Sequence, residues 1–390
     1  MPDEPRDGER HVVPDELYVP FVGLRRNARA LFAGGLLLIA LWLLPDLTPP
    51  PTGPSTIELA RGRIEVLLPD AGEGEPNVRV TIVDGPRAGT EFDGFMEGPS
   101  GAEDLPAYAP GDEVVVSISP GEPRPLVAVS DRWRAPALAA ILGLFAAAVT
   151  LVGGWRGVRS LIALALTLGV VVRVVVPLLL AGWDPVLVAV AAGSLVTLAT
   201  ILLTEGLRAT SLAAVAGTFA ALVLTALLAL AGNALASFTT LQGGETAAFL
   251  RSIGQGDLDI GGLLLAAVIF GALGVLDDVT VTQAATVEEL AAADPKAPPR
   301  RLFERGMNVG RSHIAATVNT LVLAYVGASL PLLVLFAAGR QDPLLIASGE
   351  SVAVEIVRSL VGSIGIVAAV PFTTAIAALV VPRAAARPTG

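Results

Sequence analysis

Residues 160–181, SLIALALTLGVVVRVVVPLLLA, decide the fold class of this chain. The stretch is apolar over 22 residues, and its one charged residue is Arg173. A helix needs about 20 predominantly apolar residues to cross the hydrocarbon core of a bilayer. The stretch therefore predicts a membrane-spanning α-helix.

Similar runs lie on both sides of this stretch. They occupy residues 30–44, 136–153, 185–204, 211–231, 261–283, 314–337 and 359–381. The chain is therefore predicted to be an all-α membrane protein, a polytopic helical bundle of about eight transmembrane helices. Seven of these helices are expected to form one membrane domain, residues 135–382, with a cytoplasmic loop at 284–312.

The first run is predicted to be a transmembrane anchor, residues 29–47, and not a cleaved signal peptide. A cleavage site would follow the run as a small-x-small motif, but the chain continues with Pro45-Asp46-Leu47-Thr48. Residues 1–28 are polar and lack periodicity, which predicts a disordered tail.

Residues 49–133 differ in composition from the rest of the chain. They contain 15 acidic and 6 basic residues, and short runs of alternating apolar residues at 64–68, 78–83 and 113–118. Alternation of this kind is typical of β-strands. The segment is predicted to be a small antiparallel β domain, a barrel or sandwich of OB or SH3-like size.

The distribution of Lys and Arg predicts the orientation in the membrane. With a cytoplasmic N-terminus, 15 of these residues lie in cytoplasmic segments and 3 in the short outer loops. Because short cytoplasmic loops are enriched in Lys and Arg, both termini are predicted to be cytoplasmic. Residues 383–390 would then be a cytoplasmic tail and residues 49–133 an extracytoplasmic domain.

Composition excludes several classes of function. Charged residues make up 16% of the chain, against about 25% in soluble domains, and a net charge of -10 argues against a nucleic-acid partner. The chain has no Cys and two His residues, so no metal site or cofactor is expected. Its single Lys, Lys296, follows Pro295, which excludes a nucleotide-binding P-loop.

Ionisable residues within the spans are the first candidates for function, because each costs about 2.5–3.5 kcal/mol on insertion. They are Asp277 and Asp278 in the sixth span and Arg173 in the third. Asp278 shares a helix face with small residues, where a second helix or a water-filled cleft can approach. That face comprises Ala267, Gly271, Gly274, Asp278, Thr282 and Ala285.

Two interpretations of these groups stay open. Asp278 and Asp277 could relay protons or cations, or Asp278 could bond a neighbouring helix while Asp277 reaches the cytoplasmic surface. Arg173 could take part in transport, or it could bond backbone carbonyls or extend to the outer surface.

Polar and helix-breaking residues in the last two spans are further candidates. Asn319 and Thr320 either hydrogen-bond neighbouring helices or line a path. Pro371 is predicted to kink or break the last span, either as a structural feature or as a gate.

Three runs of sequence together resemble the YibE/F family of bacterial membrane proteins. They are GALGVLDDVTVTQAATVEEL at 271–290, RGMNVGRSHIAATVNTLVLAYVG at 305–327 and IVRSLVGSIGIVAAVPFTT at 356–374. The resemblance covers residues 135–381 and implies a multi-pass protein of the bacterial plasma membrane. The family's pattern has Asp at 278, a Thr-Asn-Thr-like stretch at 317–320 and Gly-Ser-Ile-Gly at 362–365. It often has Asp where this chain has Ser312.

Three classes of function remain for comparison. The first is a transporter or permease that moves an ion or small solute with an intramembrane Asp. The second is a non-catalytic accessory or sensor protein whose acidic outer β domain binds a partner or cations. An intramembrane aspartyl protease would need carboxylates on facing helices, whereas Asp277 and Asp278 are neighbours on one helix, so no enzyme is expected.

The expected partners follow from these classes. They are the lipid bilayer and an unknown small solute or ion, with no nucleic acid and no nucleotide. Assembly with itself or with related membrane proteins is a further expectation.

Overall fold

A computed structural model describes residues 24–47, 58–68, 76–96, 108–120, 125–238, 259–339 and 342–385. Most of the predicted disordered tail and the end of the C-terminal tail lie outside these residues. Residues 24–28 belong to the first helix, which therefore begins before the predicted anchor.

The described chain consists of helices and one five-stranded sheet. The helices are α1 (Leu24–Leu43), α2 (Ala135–Val170), α3 (Val176–Leu180), α4 (Pro185–Thr204), α5 (Ala209–Ala236), α6 (Ile260–Ala293), α7 (Pro299–Ala328), α8 (Leu330–Ala338), α9 (Pro343–Ser348) and α10 (Glu350–Ala385). A π-helical segment, Val171–Val175, joins α2 to α3.

Aspartate caps fix the starts of two helices that matter for the site. The Leu187 N–H donates to Asp184 Oδ1 at 2.8 Å before α4, and the Gly262 N–H donates to Asp259 Oδ1 at 2.9 Å before α6. Each cap satisfies a backbone donor that the first turn of a helix leaves without a partner.

Five helices of the described chain are long and apolar enough to cross a membrane, compared with about eight predicted spans. They are Ala135–Leu180, Pro185–Thr204, Ala209–Ala236, Ile260–Ala293 and Val352–Pro382. The predicted anchor contributes only a short apolar helix, Ala30–Leu43. The predicted seventh span is divided at Ser329 between α7 and α8.

The first of these five spans contains a sharp turn. A straight helix of 46 residues would extend about 69 Å, far beyond the ~30 Å hydrocarbon core. Gly154 has φ 54°, outside helical geometry, and Gly157 lies against the carbonyl of Val149. Val149 and Gly157 would be about 12 Å apart in a straight helix. Their contact therefore shows that the chain reverses near Gly154.

The segment 284–312, predicted to be a cytoplasmic loop, is largely helical. α6 continues to Ala293 and α7 begins at Pro299, so only residues 294–298 connect them. The stretch 288–293, EELAAA, consists of good helix formers, whereas Pro295 and Pro298 disfavour a continuous helix. The last helix also continues past Pro371, so the predicted break does not occur there.

Closely packed small residues join α5 to α10. Gly217 of α5 lies against Thr373 of α10, and Gly365 of α10 lies against Thr225 of α5. At each contact a threonine side chain of one helix packs against a glycine of the other. Such approaches are how membrane helices pack without a hydrophobic driving force.

The sheet of the β domain forms a closed barrel. Its strands are β1 (Glu58–Leu67), β2 (Val78–Ile82), β3 (Glu91–Met96), β4 (Glu113–Ser119) and β5 (Leu126–Arg132), in the order β1-β2-β3-β5-β4. β3 and β5 pair in parallel through Phe95–Ala128 and Met96–Val129, which corrects the predicted fully antiparallel sheet. A ring of five strands cannot alternate direction throughout, so one pair must be parallel.

Replacement of Gly217 by Ala is expected to destabilise the helical bundle. A Cβ atom there would meet the side chain and Cα of Thr373, and overpacking of this kind costs about 1–3 kcal/mol. That exceeds the ~1 kcal/mol that Ala gains over Gly in a helix. The matched control is Gly143→Ala, because no atom lies within 4 Å of the added Cβ.

Thermal unfolding of the purified protein in detergent measures the difference between these variants. We expect a lower Tm for Gly217→Ala and an unchanged or raised Tm for Gly143→Ala. Equal Tm values for the two variants would show that the α5–α10 contact does not limit stability.

Candidate functional site

Asp277 lies at the junction of α4, α5 and α6. Its Oδ1 accepts a hydrogen bond of 2.7 Å from the hydroxyl of Thr197 on α4. The hydroxyls of Thr200 on α4 and Thr218 on α5 also interact with this carboxylate. Thr218 in turn lies 2.6 Å from the hydroxyl of Thr280, one turn further along α6. We call these five residues the Asp277 cluster.

The cluster lies well inside the helical bundle. Thr197 is seven residues from the end of α4, and Thr218 is nine residues from the start of α5. These separations correspond to about 10 and 13 Å along the helices. The side chains of Thr197, Thr218 and Thr280 are buried, so the Asp277 carboxylate points into the bundle and not towards its end.

A polar cleft of ≈ 560 Å³ reaches the cluster from one end of the bundle. Arg156 and Gly157, near the Gly154 turn, and Thr204 and Glu205, at the end of α4, line its outer part. Ser160, Thr167, Thr200, Asp277 and Asp278 line it further along these helices. Acidic and hydroxyl side chains thus extend from the end of α4 to Asp277.

An apolar cleft of ≈ 520 Å³ reaches Asp277 from the opposite direction. It extends from Leu179, at the end of α3, and Leu263, at the start of α6, past Phe270. These helix ends lie near the start of α4, whereas the polar cleft lies near its end. Leu164, Thr167 and Asp277 line both clefts, and Asp277 is the only charged residue that they share.

The structure places the two neighbouring aspartates in different surroundings. Asp278 is exposed and lines the polar cleft, whereas Asp277 is hydrogen-bonded inside the bundle. Thr282 is exposed and donates to the Asp278 carbonyl at 2.8 Å. The face of small residues around Asp278 is exposed along its length, and Ala267 and Gly274 border the apolar cleft.

Arg173 has a structural position at the other end of the bundle. Its Nη2 donates to the carbonyl oxygen of Leu44 at 2.6 Å, and its guanidinium lies 5.9 Å from the ring centroid of Trp42. The backbone-carbonyl interpretation of Arg173 therefore describes its contacts. Arg173 ties the end of α1 to the π-helical segment and lines neither cleft.

The remaining predicted candidates also lie away from the two clefts. Asn319 and Thr320 are exposed on α7, and Thr320 donates to the Ala316 carbonyl at 3.0 Å. Pro371 lies within α10. None of the three lines either cleft.

The sequence analysis did not identify the threonines that surround Asp277. The available signal was Thr197, Thr200 and Thr204 in an otherwise apolar run, at spacings that place them on one helix face. A second signal was Thr218 within the fifth predicted span. A carboxylate inside a helical bundle needs polar neighbours, and these threonines were the available ones.

Long apolar helices around a buried polar cluster define a polytopic membrane protein. Residues 141–383 match the family model described as YibE/F-like protein. The chain therefore belongs to the YibE/F family. No curated protein and no solved structure matches it.

A double-mutant cycle tests whether Thr197 and Asp277 are energetically coupled. We expect Thr197→Val and Asp277→Asn to be non-additive by about 0.6–1.7 kcal/mol, the range measured for hydrogen bonds between membrane helices. Chemical unfolding of the purified protein in detergent provides the free energies. Thr204→Val with Asp277→Asn is the control, because the Thr204 hydroxyl donates to the Thr200 carbonyl instead. Additive Thr197 and Asp277 effects would contradict the coupling.

Proposed function

We propose that the protein is a transporter or permease that moves an ion or a small solute across the membrane with Asp277 as its intramembrane acid. The observation that carries this proposal is the position of Asp277, which lines both the polar and the apolar cleft. An ionisable residue at such depth is costly and marks ion or solute paths in membrane proteins. Sites reached from both ends of a bundle are the basis of alternating access.

The proposed topology has eight spans in a bacterial plasma membrane. The turn near Gly154 divides the first long span into two arms, and α1 and the α7–α8 pair add two more. An even number of spans puts both termini on one side, which the distribution of Arg assigns to the cytoplasm. The exposed Trp42 and Trp183 lie near the ends of α1 and α3, as an aromatic belt at the outer interface would.

This topology gives the two clefts a direction. The polar cleft would open to the cytoplasm and the apolar cleft to the extracytoplasmic side. Because the sequence has no P-loop, we expect an ion gradient or a separate protein to supply energy. No enzyme activity is part of this proposal.

Flux measurements in proteoliposomes test the proposal. The purified protein is screened with protons, inorganic cations and small peptides against empty liposomes. For any transported solute, we expect Asp277→Asn to reduce flux by about 10- to 100-fold, because a hydrogen bond to a charged group contributes about 1.5–3 kcal/mol. Glu289→Gln is the matched control, because Glu289 is exposed on α6 and lines neither cleft, and it should retain most of the flux. Unchanged flux in Asp277→Asn, or no flux of any solute, would contradict the proposal.

The β domain supports a second candidate, a non-catalytic accessory or sensor protein. A closed barrel of five strands suits an OB-like fold, a class that binds ligands on its surface. All the arginines of its described strands and loops are paired with acids: Arg61 and Arg63 with Glu113, Arg79 with Asp93, Arg87 with Glu58, and Arg132 with Asp112. Hydrogen bonds from Arg61 lower the pKa of Glu113. Because these arginines are paired with carboxylates, the remaining acidic side chains give the domain a negative surface. Such a surface favours cations or a basic partner.

Deletion of residues 55–130 distinguishes the two candidates. A transporter is expected to insert normally and to retain solute flux without the barrel. An accessory or sensor protein is expected to insert but to lose its cellular function. Localisation of the truncated protein in membranes serves as the control.

A further inference from the structure

The Asp277 cluster contains one acidic side chain and no basic one. Its other members are Thr197, Thr200, Thr218 and Thr280. Within the described part of the chain, no Lys, Arg or His nitrogen lies within 4.0 Å of the Asp277 carboxylate. An ionised carboxylate in such surroundings requires a compensating positive charge. A ligand can supply that charge.

From this arrangement we propose that the Asp277 cluster binds one monovalent cation, a proton or Na⁺. The inference rests on the proposed transport function and names the class of ion that the site accepts. Neutralisation of a single carboxylate needs one positive charge. A divalent cation would leave the Asp277 cluster itself with a net charge of one.

The threonine hydroxyls are oriented to accept such an ion. Thr200 donates its hydrogen to the Thr197 carbonyl at 3.2 Å, and Thr218 donates to the Ala214 carbonyl at 3.1 Å. A hydroxyl that donates to its own helix retains two lone pairs. These lone pairs can accept the proton of a neutral carboxyl group or coordinate Na⁺, while Thr197 holds the other side of the carboxylate.

The two clefts also favour a small cation over a larger solute at this point. Glu205 and Asp278 accompany Asp277 in the polar cleft, against a single Arg156. A cleft with excess negative charge raises the local concentration of cations. In the apolar cleft, Thr167 is the one polar side chain besides Asp277. That cleft therefore offers few groups that could bind a larger polar solute.

Equilibrium binding to the purified full-length protein tests the proposal without any flux measurement. Thermal unfolding in detergent is compared in NaCl, choline chloride and MgCl₂ at equal ionic strength. In parallel, infrared difference spectra across a pH titration detect the C=O stretch of a protonated carboxyl group. The variants are Asp277→Asn and, as the matched control for charge, Glu289→Gln, which is exposed on α6 and lines neither cleft.

Either of two results supports the proposal and identifies the ion. If the site takes Na⁺, Tm rises in NaCl over choline chloride for the wild type and Glu289→Gln, but not for Asp277→Asn. If it takes only a proton, the cations have equal effects and a titrating carboxyl band disappears in Asp277→Asn alone. The proposal is overturned if neither signal depends on Asp277, or if Mg²⁺ stabilises the protein through Asp277 more than Na⁺ does.

A second variant keeps the test informative if Asp277→Asn does not fold. Thr218→Val removes one hydroxyl without a change of charge, and we expect it to weaken Na⁺ binding by about 2- to 10-fold or to shift the carboxyl titration. Unchanged binding in Thr218→Val would contradict the assigned ligands. Binding without flux would overturn the transport function alone, whereas flux without Asp277-dependent binding would overturn this inference alone.

Discussion

A carboxylate inside the hydrocarbon region of a membrane must be compensated, and the contacts of three helices at Asp277 follow from that requirement. α4 provides Thr197 and Thr200, α5 provides Thr218, and α6 carries the acid itself. The hydrogen bond from Thr197 stabilises the Asp277 carboxylate, but none of these hydroxyls supplies a positive charge. The protein therefore contains a site that is stable enough to fold and still electrostatically incomplete.

The two sides of the bundle differ in how closely they are packed. α5 and α10 are joined by glycine–threonine contacts at Gly217 and Gly365. The opposite side, where α2, α4 and α6 meet, contains the polar and the apolar cleft. Asp277 is therefore supported on the α5 side by closely packed helices. On the α2 side the two clefts reach it.

Sequence patterns predicted the apolar elements better than their contacts. The span at 185–204 coincides with α4 because Asp184 and Pro185 mark its start. Helical periodicity grouped Asp278 with the small residues, but it could not show that this face is exposed and that Asp277 bonds Thr197 inside the bundle. The reversal at Gly154 lies between the predicted spans at 136–153 and 160–181, so the apolar runs predicted where the chain turns but not the backbone angles that turn it. Thr197, Thr200 and Thr218 lie on other helices than Asp277. The spacing of residues within one helix does not show which residues of another helix they contact.

The central claim is that the position of Asp277 is reached from both ends of the bundle. The chain has no natural Cys, so an Asp277→Cys variant carries a single thiol. The most direct measurement is its reaction with a small, membrane-impermeant methanethiosulfonate reagent, added to either side of oriented vesicles. The account predicts that the thiol reacts with reagent added to either side. It also predicts that reaction from one side blocks later labelling from the other side. Modification from one side only, or from neither, would contradict it.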